Sequence, residues 1–517
     1  QASGLAVEAI EAQEASQFTV DTYILSVATQ AQTMLDDLGK LDNEGYVLAG
    51  CKAMSSEDAY TSEFKFDNRL RAYQAACHGP NGQSSDRSRA LMNLHGVEYT
   101  AAQVPMITKH IMAEIEDMTG SMTTSKGVVL SLEKWIAMSV AQPVEFIVSQ
   151  VKLDKGQRAI TKPWSFLKAA KALTELAAGN MPYIGMAVGL DAKCSGPQYG
   201  ALMVHDEQVS AACGFTLESQ LEDAYQRCIA ILDESEFNGM SRGGIKKTFM
   251  GVFYGQGFAA FMNTEQLKKD EQYELVEMLL AGNTFVSEER AKQFHKLVTS
   301  SFGKQMVWVR NQVSKFNNNV EGRMGHFMPD GAKVQMNYKI KHNILNEVVG
   351  MDTVCPDVLV TINGQEFKFI NMALKTKEVD SNSFVRTAFV NMIQAVDALI
   401  ARLIVVHLSR LGAKHIVGVH DCFRVNVTEM HLLEQAIKNA YMDVFGGDEN
   451  TLTTDLPMGK DILGMFFDGL EAAKVGDAQT DRMNQFCPVL GRYATHINGV
   501  SVDELIQKLG ETYYFAK

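Results

Sequence analysis

Proline is scarce in this chain, 10 residues in 517, and tryptophan scarcer still, at three. Glycine, at 40 residues, stays near its usual share, so neither a collagen-like nor another low-complexity class applies. No 20-to-50-residue repeat of the solenoid kind is present. The eight cysteines (Cys51, Cys77, Cys194, Cys213, Cys228, Cys355, Cys422 and Cys487) include no Cys-x-x-Cys pair and no histidine at zinc-ligand spacing. Scattered through a large chain, they fit a reducing compartment and serve as small buried hydrophobes. Long apolar runs are missing too. The longest, Ala398 to Leu408, is interrupted by Arg402 and too short to span a bilayer, and no secretory segment is visible. These absences predict a soluble, intracellular protein with no membrane partner. Excess positive charge is also absent. The formal net charge is -13, so any affinity for a polyanion must come from locally concentrated Lys and Arg. Arg69, Arg71, Arg87 and Arg89 form one concentration, although on charge alone a solvated surface run is the better reading.

What is present is globular: 46% of residues are apolar, and 517 residues exceed one ordinary core, so two to four lobes are expected. Apolar spacing predicts helices over 4–38, 103–116, 130–150, 162–178, much of 220–310, and 386–411. A loop-like stretch runs from Asp37 to Glu63. Alternation in Asp67-Asn-Arg-Leu-Arg-Ala-Tyr73 predicts a strand with Asp67, Arg69, Arg71 and Tyr73 on one face. Tyr183 to Leu190 reads as a buried strand delivering Asp191 at its end, and Gly196-Pro197 opens a helix, where proline is tolerated. Hairpins are predicted around Met328 to Gln335 and from Val358 to Phe369, the latter turning at Asn363-Gly364. Two more strands, from His415 and from Phe423, join around His420-Asp421-Cys422. The remainder is read as mostly helical, with Gly510 as a stop. The chain opens on Gln1 rather than Met, so removal of an initiator residue or more is expected.

Chemistry concentrates in three segments: Asp191-Ala-Lys-Cys-Ser-Gly, Arg242 to Gly255, and His420-Asp421-Cys-Phe. Neighbouring strands lie about 4.8 Å apart, so if those carrying Asp191 and Asp421 are adjacent, both carboxylates reach one metal pair. Magnesium, a hard cation that shares substrate phosphates, suits such oxygen ligands. Taken alone, either aspartate is equally a turn residue or a helix cap. Arg242, Lys246, Met250 and Tyr254 recur every four residues, forming a stripe about 18 Å long on one helix face. It suits a nucleotide, with cations at the phosphates and tyrosine at the sugar; an amphipathic surface helix gives the same pattern.

Together these segments resemble the phage and mitochondrial type of single-subunit DNA-dependent RNA polymerase. Asp191, Cys194, Ser195, Gly196 and Gln198 match its first catalytic motif. Arg242, Lys246, Tyr254 and Gly255 match its fingers helix, and His420, Asp421 and Phe423 its third motif. Asp67-x-Arg69-x-Arg71-x-Tyr73 resembles the palm-opening segment that contacts template and hybrid. Asp223-Ala-Tyr225 resembles the step placing a tyrosine near the incoming nucleotide, and Tyr514 to Lys517 the aromatic C-terminal foot.

The resemblance implies a right-hand polymerase fold, α/β and mostly helical, with a palm sheet, fingers and a reduced thumb. The implied division is 1–62 for N-terminal helices and thumb, 63–219 for the first part of the palm, 220–389 for fingers including a hairpin at 355–375, and 390–517 for the rest of the palm. It implies DNA-templated synthesis of RNA from ribonucleoside triphosphates, with two magnesium ions on Asp191, Asp421 and the Ala192 carbonyl. Lys246 and Tyr254 are the further catalytic residues; Arg242, Tyr225, Gly255, Gln394 and His420 bind substrate; Arg69 and Arg71 bind nucleic acid.

The departures carry information. Ala192 and Leu70 replace family glycines, Tyr199 replaces a frequent histidine, and Gln394 stands where a ribose-recognising histidine is usual. The N-terminal promoter-binding domain is missing and the thumb shortened. A second polymerase subunit or a single-stranded-DNA-binding protein is therefore an expected partner, with the host cytoplasm as location if a phage encodes the chain. The rival readings are a family-A-like DNA polymerase and a non-catalytic subunit with the same fold. Family-A enzymes carry a glutamate five residues after the first aspartate, against the ribose 2′-OH. Here that residue is Gly196, and Cys422 replaces a glutamate after the second aspartate. Both differences favour ribonucleotides, and retention of Asp191, Asp421, Arg242, Lys246 and Tyr254 argues against lost chemistry.

Overall fold

The computed structural model describes residues 4–37, 45–54, 59–75, 79–119, 130–153, 158–192, 194–204, 206–214, 224–231, 242–258, 288–316, 323–337, 339–343, 358–362, 365–369, 373–445, 462, 464–466, 468, 496–497, 500–501 and 515–516. The first helical region is interrupted. Helix α1 (Gly4–Glu14) and helix α2 (Thr22–Asp37) flank a short strand, β1 (Phe18–Val20), and the expected loop that follows contains helix α3 (Gly45–Ala53). Asp21 causes the restart: its carboxylate accepts the Ile24 N–H at 2.9 Å, a local bond that favours a new helix start.

The segment expected as one strand is a hairpin, β2 (Phe64–Phe66) and β3 (Ala72–Gln74). Again an aspartate decides. Asp67 Oδ1 accepts the backbone N–H groups of Arg69 at 2.8 Å and Arg71 at 3.1 Å, folding 67–71 into a turn. Leu70 sits in that turn at φ 66°, a left-handed conformation that costs a side-chain-bearing residue about 1–2 kcal/mol. This strain accounts for glycine in the family pattern at that point.

A helical block follows: α4 (Asp86–Ala90), β4 (Met92–Leu94), α5 (Val104–Asp117), α6 (Leu132–Ala141), α7 (Pro143–Val151) and α8 (Pro163–Ala177). The helix predicted over 130–150 is thus two, because Pro143 forces Gln142 out of the helical region, to φ -137° and ψ 68°. Strand β5 (Ala187–Ala192) starts later than expected and carries Asp191 inside it. After it come α9 (Ser195–Val204), α10 (Glu207–Ala212), α11 (Ala224–Ile231), α12 (Arg242–Phe253), α13 (Glu288–Leu297) and α14 (Lys304–Phe316).

Antiparallel strands β6 (Arg323–Phe327) and β7 (Lys333–Asn337) form the first predicted hairpin. Strand β8 (Lys339–Asn343) precedes the second, β9 (Val358–Ile362) with β10 (Gln365–Phe369); β11 (Ala373–Val379) returns to pair with β8. The Asn363-Gly364 turn itself lies outside the described residues.

Helix α15 (Ser381–Arg410) begins five residues earlier than expected, where Asp380 caps it by accepting the Ser383 N–H at 2.9 Å. Unlike the short apolar run read from sequence, this helix is long and apolar enough to cross a membrane. However, 78% of its most apolar window is buried inside the molecule, in contact with α1, α9 and α14, as a helix apolar on every side requires. It is a core helix. Strands β12 (Val417–Val419) and β13 (Cys422–Asn426) follow, then α16 (Met430–Phe445), the small pair β14 (His496–Ile497) and β15 (Val500–Ser501), and β16 (Phe515–Ala516). Gly510 lies outside the described residues.

One four-stranded sheet, in the order β12-β13-β5-β16, positions the site. Val188 and Val425 on its inner face are fully buried. The fold is mostly helical with small sheets, an α/β arrangement. The proposed division at 389/390 falls inside α15.

Candidate active site

β5 and β13 are antiparallel neighbours, and the register sets Asp191 directly opposite Cys422. Asp421 occupies the tight turn between β12 and β13, where His420 takes φ 57°. The two aspartates are therefore brought together, as the spacing argument required. The Ala192 N–H donates to the Asp421 carbonyl at 3.3 Å, tying the two segments, and the Ser195 hydroxyl donates to Asp421 Oδ2 at 2.8 Å from the first turn of α9. Asp191 is exposed to solvent yet has protein packed around it. Desolvation there, and then the charge of Asp421, push its carboxyl up to about 6, while Lys246 opposes the shift. Two carboxylates that repel each other side by side suit a cation by electrostatics and by donor type. Magnesium fits: it takes oxygen ligands and needs only one or two carboxylates when substrate phosphates complete its shell.

Helix α12 approaches this pair: the charge of Lys246 acts on Asp191, and Tyr254, just past the helix end, reaches α9. Lys246 is exposed, its ammonium 5.9 Å from the centre of the Tyr225 ring. Arg242 begins the helix; its side chain lies outside what the structure describes. Tyr225 is buried behind α12, its hydroxyl donating to Met250 Sδ at 3.4 Å and its ring edge-on to Phe249. Gly255 stops the helix at φ 95°, and Arg310 Nη1 donates to its carbonyl at 3.3 Å. Tyr254 turns toward α9: a Cβ placed on Gly196 would lie 2.5 Å from its hydroxyl. The space above Gly196, read from sequence as room for a ribose hydroxyl, is held by Tyr254. Burial raises the Tyr254 phenol above its ordinary range.

The 67–71 turn is clamped to α15. Arg69 donates to Gln394, Arg71 Nη2 contacts Asp397 Oδ2 at 2.5 Å, and Arg402 Nη1 donates to the Leu70 carbonyl at 3.2 Å. Arg69 also pairs with Asp67 at 2.5 Å. The two arginines assigned to nucleic acid, and the glutamine assigned to ribose, are thus engaged with each other and with the turn. Asp397 is the residue that sequence reasoning left without a role. Burial pushes its carboxyl up to about 6 despite Arg71, and it lies near Tyr254 and Asp421. Its signal was its place three residues after Gln394, one helical turn along the same face. His420 stands edge-on to Tyr73, ring centres 5.4 Å apart, and burial, followed by the charge of Arg71, lowers its pKa.

The wider basic concentration does not hold together. Arg87 is 2% exposed and donates to Gln32 at 3.0 Å, so it supports packing rather than a phosphate track. Tyr199, in place of a histidine, is buried against Tyr441 and Phe445 beneath α9. Cys51, Cys194, Cys213 and Cys228 are buried, as expected, and Cys422 is partly exposed.

No curated protein matches the chain. Among solved structures, the polymerase domain of Pol1 from M. smegmatis, in complex with DNA primer-template and dNTP, is similar at 13% identity. The match covers 88% of this chain and 68% of that one, with a TM-score of 0.33. The family model for DNA-dependent RNA polymerase matches residues 133–454, more than half of the chain and a span containing Asp191, Lys246, Tyr254 and Asp421. The chain belongs to the DNA-dependent RNA polymerase family, of the phage and mitochondrial single-subunit type, and is a nucleotidyltransferase.

Proposed function

We propose that the chain carries out DNA-templated RNA synthesis, in which an RNA 3′-OH attacks the α-phosphate of a ribonucleoside triphosphate and pyrophosphate leaves. The observation that carries this reading is the adjacency of Asp191 and Asp421 across β5 and β13, with Lys246 of α12 near enough for its charge to act on Asp191. Asp191, Asp421 and the Ala192 carbonyl would hold two magnesium ions, which when bound supply Lewis-acid activation of the nucleophile and charge stabilisation of the leaving group. Lys246, exposed beside Asp191, neutralises charge on the triphosphate, with Arg242 one turn earlier on the same helix. Tyr254 forms the wall against the sugar. Ribonucleotides are favoured by the sequence pattern, in which Gly196 and Cys422 stand where family-A DNA polymerases carry glutamates.

The template is proposed to arrive melted, through a second polymerase subunit or a single-stranded-DNA-binding protein, inside a cell or, for a phage-encoded chain, in the host cytoplasm. The test is extension of an RNA primer on single-stranded DNA with ribonucleotides against deoxyribonucleotides. Asp421→Asn should lower ribonucleotide extension by orders of magnitude while template binding survives. Near-normal extension by that variant, or a preference for deoxyribonucleotides, refutes the proposal.

A further inference from the structure

Among the described residues, β5 is paired along its length on one edge only. β13 covers that edge from Ala187 to Asp191, whereas on the other edge the described residues of β16 pair with Asp191 and Ala192. The backbone groups just before Asp191 still need partners, since a buried, unpaired N–H or C=O costs about as much as a lost hydrogen bond. Two side chains provide them. Glu114, on α5, accepts the Gly189 N–H at 3.0 Å through Oε1, and Arg424 Nη1 donates to the Ala187 carbonyl at 3.3 Å. The two are also ion-paired, Arg424 Nη1 to Glu114 Oε2 at 3.6 Å, with the Glu114 side chain 2% exposed. Arg424 starts on β13 and reaches this position across Gly189. A Cβ on Gly189 would lie 2.5 Å from Arg424 Cγ and 2.2 Å from the Phe423 carbonyl oxygen. A carboxylate from a neighbouring helix and a guanidinium from the neighbouring strand thus stand in for a length of β-strand, two residues before Asp191.

We propose that Glu114 is a positioning residue for Asp191: acting with Arg424 on the outer edge of β5, it sets where that strand presents Asp191 to Asp421. The inference rests on reading Asp191 and Asp421 as a metal-holding pair. It goes beyond packing, because a residue that merely seated α5 against the sheet would affect stability and leave cation affinity alone.

The experiment titrates Mn2+ into the full chain and reads the free ion by electron paramagnetic resonance, beside thermal melting. Glu114→Ala should weaken Mn2+ binding by about tenfold or more, the scale typical of residues that orient metal ligands. Glu114→Gln keeps an oxygen for the Gly189 N–H and should restore most of that affinity. Glu114→Asp keeps the charge but loses the reach of one methylene, so it should show the metal defect with a smaller loss of stability, and it decides the matter if the alanine variant does not fold. In parallel, the Mg2+ concentration for half-maximal synthesis should rise while KM for the nucleotide stays within about twofold. Parental Mn2+ affinity in a folded Glu114→Ala or Glu114→Asp overturns the positioning role. Asp421→Asn is the control: if it too leaves Mn2+ affinity intact, the metal reading of the pair falls with it, whereas a defect there beside normal Glu114 variants overturns the positioning role alone.

Discussion

One methyl group added at Gly196 tests the central arrangement of this site. The Cβ of Gly196→Ala would stand 2.5 Å from the Tyr254 hydroxyl, 3.3 Å from its Cζ and 3.4 Å from Met250 Cε. The methionine can rotate away. The tyrosine cannot do so cheaply, because its ring packs edge-on against the buried Phe253 at 5.3 Å. Restoring an ordinary contact near 3.5 Å requires the ring to retreat by about 1 Å. Overpacking of this kind costs about 1–3 kcal/mol, and a displacement of about 1 Å at a reacting centre costs about 100-fold in rate. Gly196→Ala is therefore expected to lower kcat/KM for ribonucleotides by about 10- to 100-fold while the chain remains folded. Tyr254→Phe removes the atom that clashes and leaves Cζ at 3.3 Å, a few tenths of an ångström short of ordinary contact. In the double variant most of the alanine defect should disappear, giving a coupling of about 1 kcal/mol or more in a double-mutant cycle. The assay is single-nucleotide extension on a primed template, with melting curves for all four proteins. Effects that add to within about 0.5 kcal/mol would refute the placement of Tyr254 over Gly196.

Gln394→Ala frees Arg69 from its α15 partner and should shift the ratio of kcat/KM between ribo- and deoxyribonucleotides; an unchanged ratio removes Gln394 from sugar recognition. His326 is 1% exposed, neither ring nitrogen has a hydrogen-bond partner among the described residues, and burial lowers its pKa to about 4. Its neutral form is favoured in the folded chain, so stability is full above pH 6.5 and falls by up to about 3 kcal/mol as pH drops toward 4. His326→Phe should flatten that slope in denaturant titrations at pH 7 and 5, and an unaltered slope assigns it elsewhere. Run-off transcription by the chain alone should succeed on a premelted bubble and fail on the matched closed duplex; accurate starts on the duplex would remove the need for a partner.

Much of this site was legible in the linear chain because it depends on spacing. Four-residue intervals put Lys246, Met250 and Tyr254 on one face of α12, and a short turn between two apolar runs put Asp421 at a hairpin tip. Gly255 announced the helix end, and its φ of 95° shows why glycine serves there. Local competition was harder to read. Alternation from Asp67 to Tyr73 satisfies a strand, yet Asp67 bonds its own neighbouring N–H groups and folds the segment into a turn. A side-chain bond over two to four residues forms at little entropic cost, so it overrides a period-two pattern.

Tertiary structure alone decided which distant groups became partners. No spacing rule links Glu114 to Gly189, Arg71 to Asp397 or Ser195 to Asp421, separated by 75, 326 and 226 residues. The same holds for Arg69 and Gln394, which meet where α15 packs against the 67–71 turn. The chain's order determined the chemistry available to the site, since residue type and local period act within a few turns. Packing of α5, α9 and α15 around one small sheet determined which of those groups face the reaction and which hold the others in place, because only the folded core sets distances between segments hundreds of residues apart.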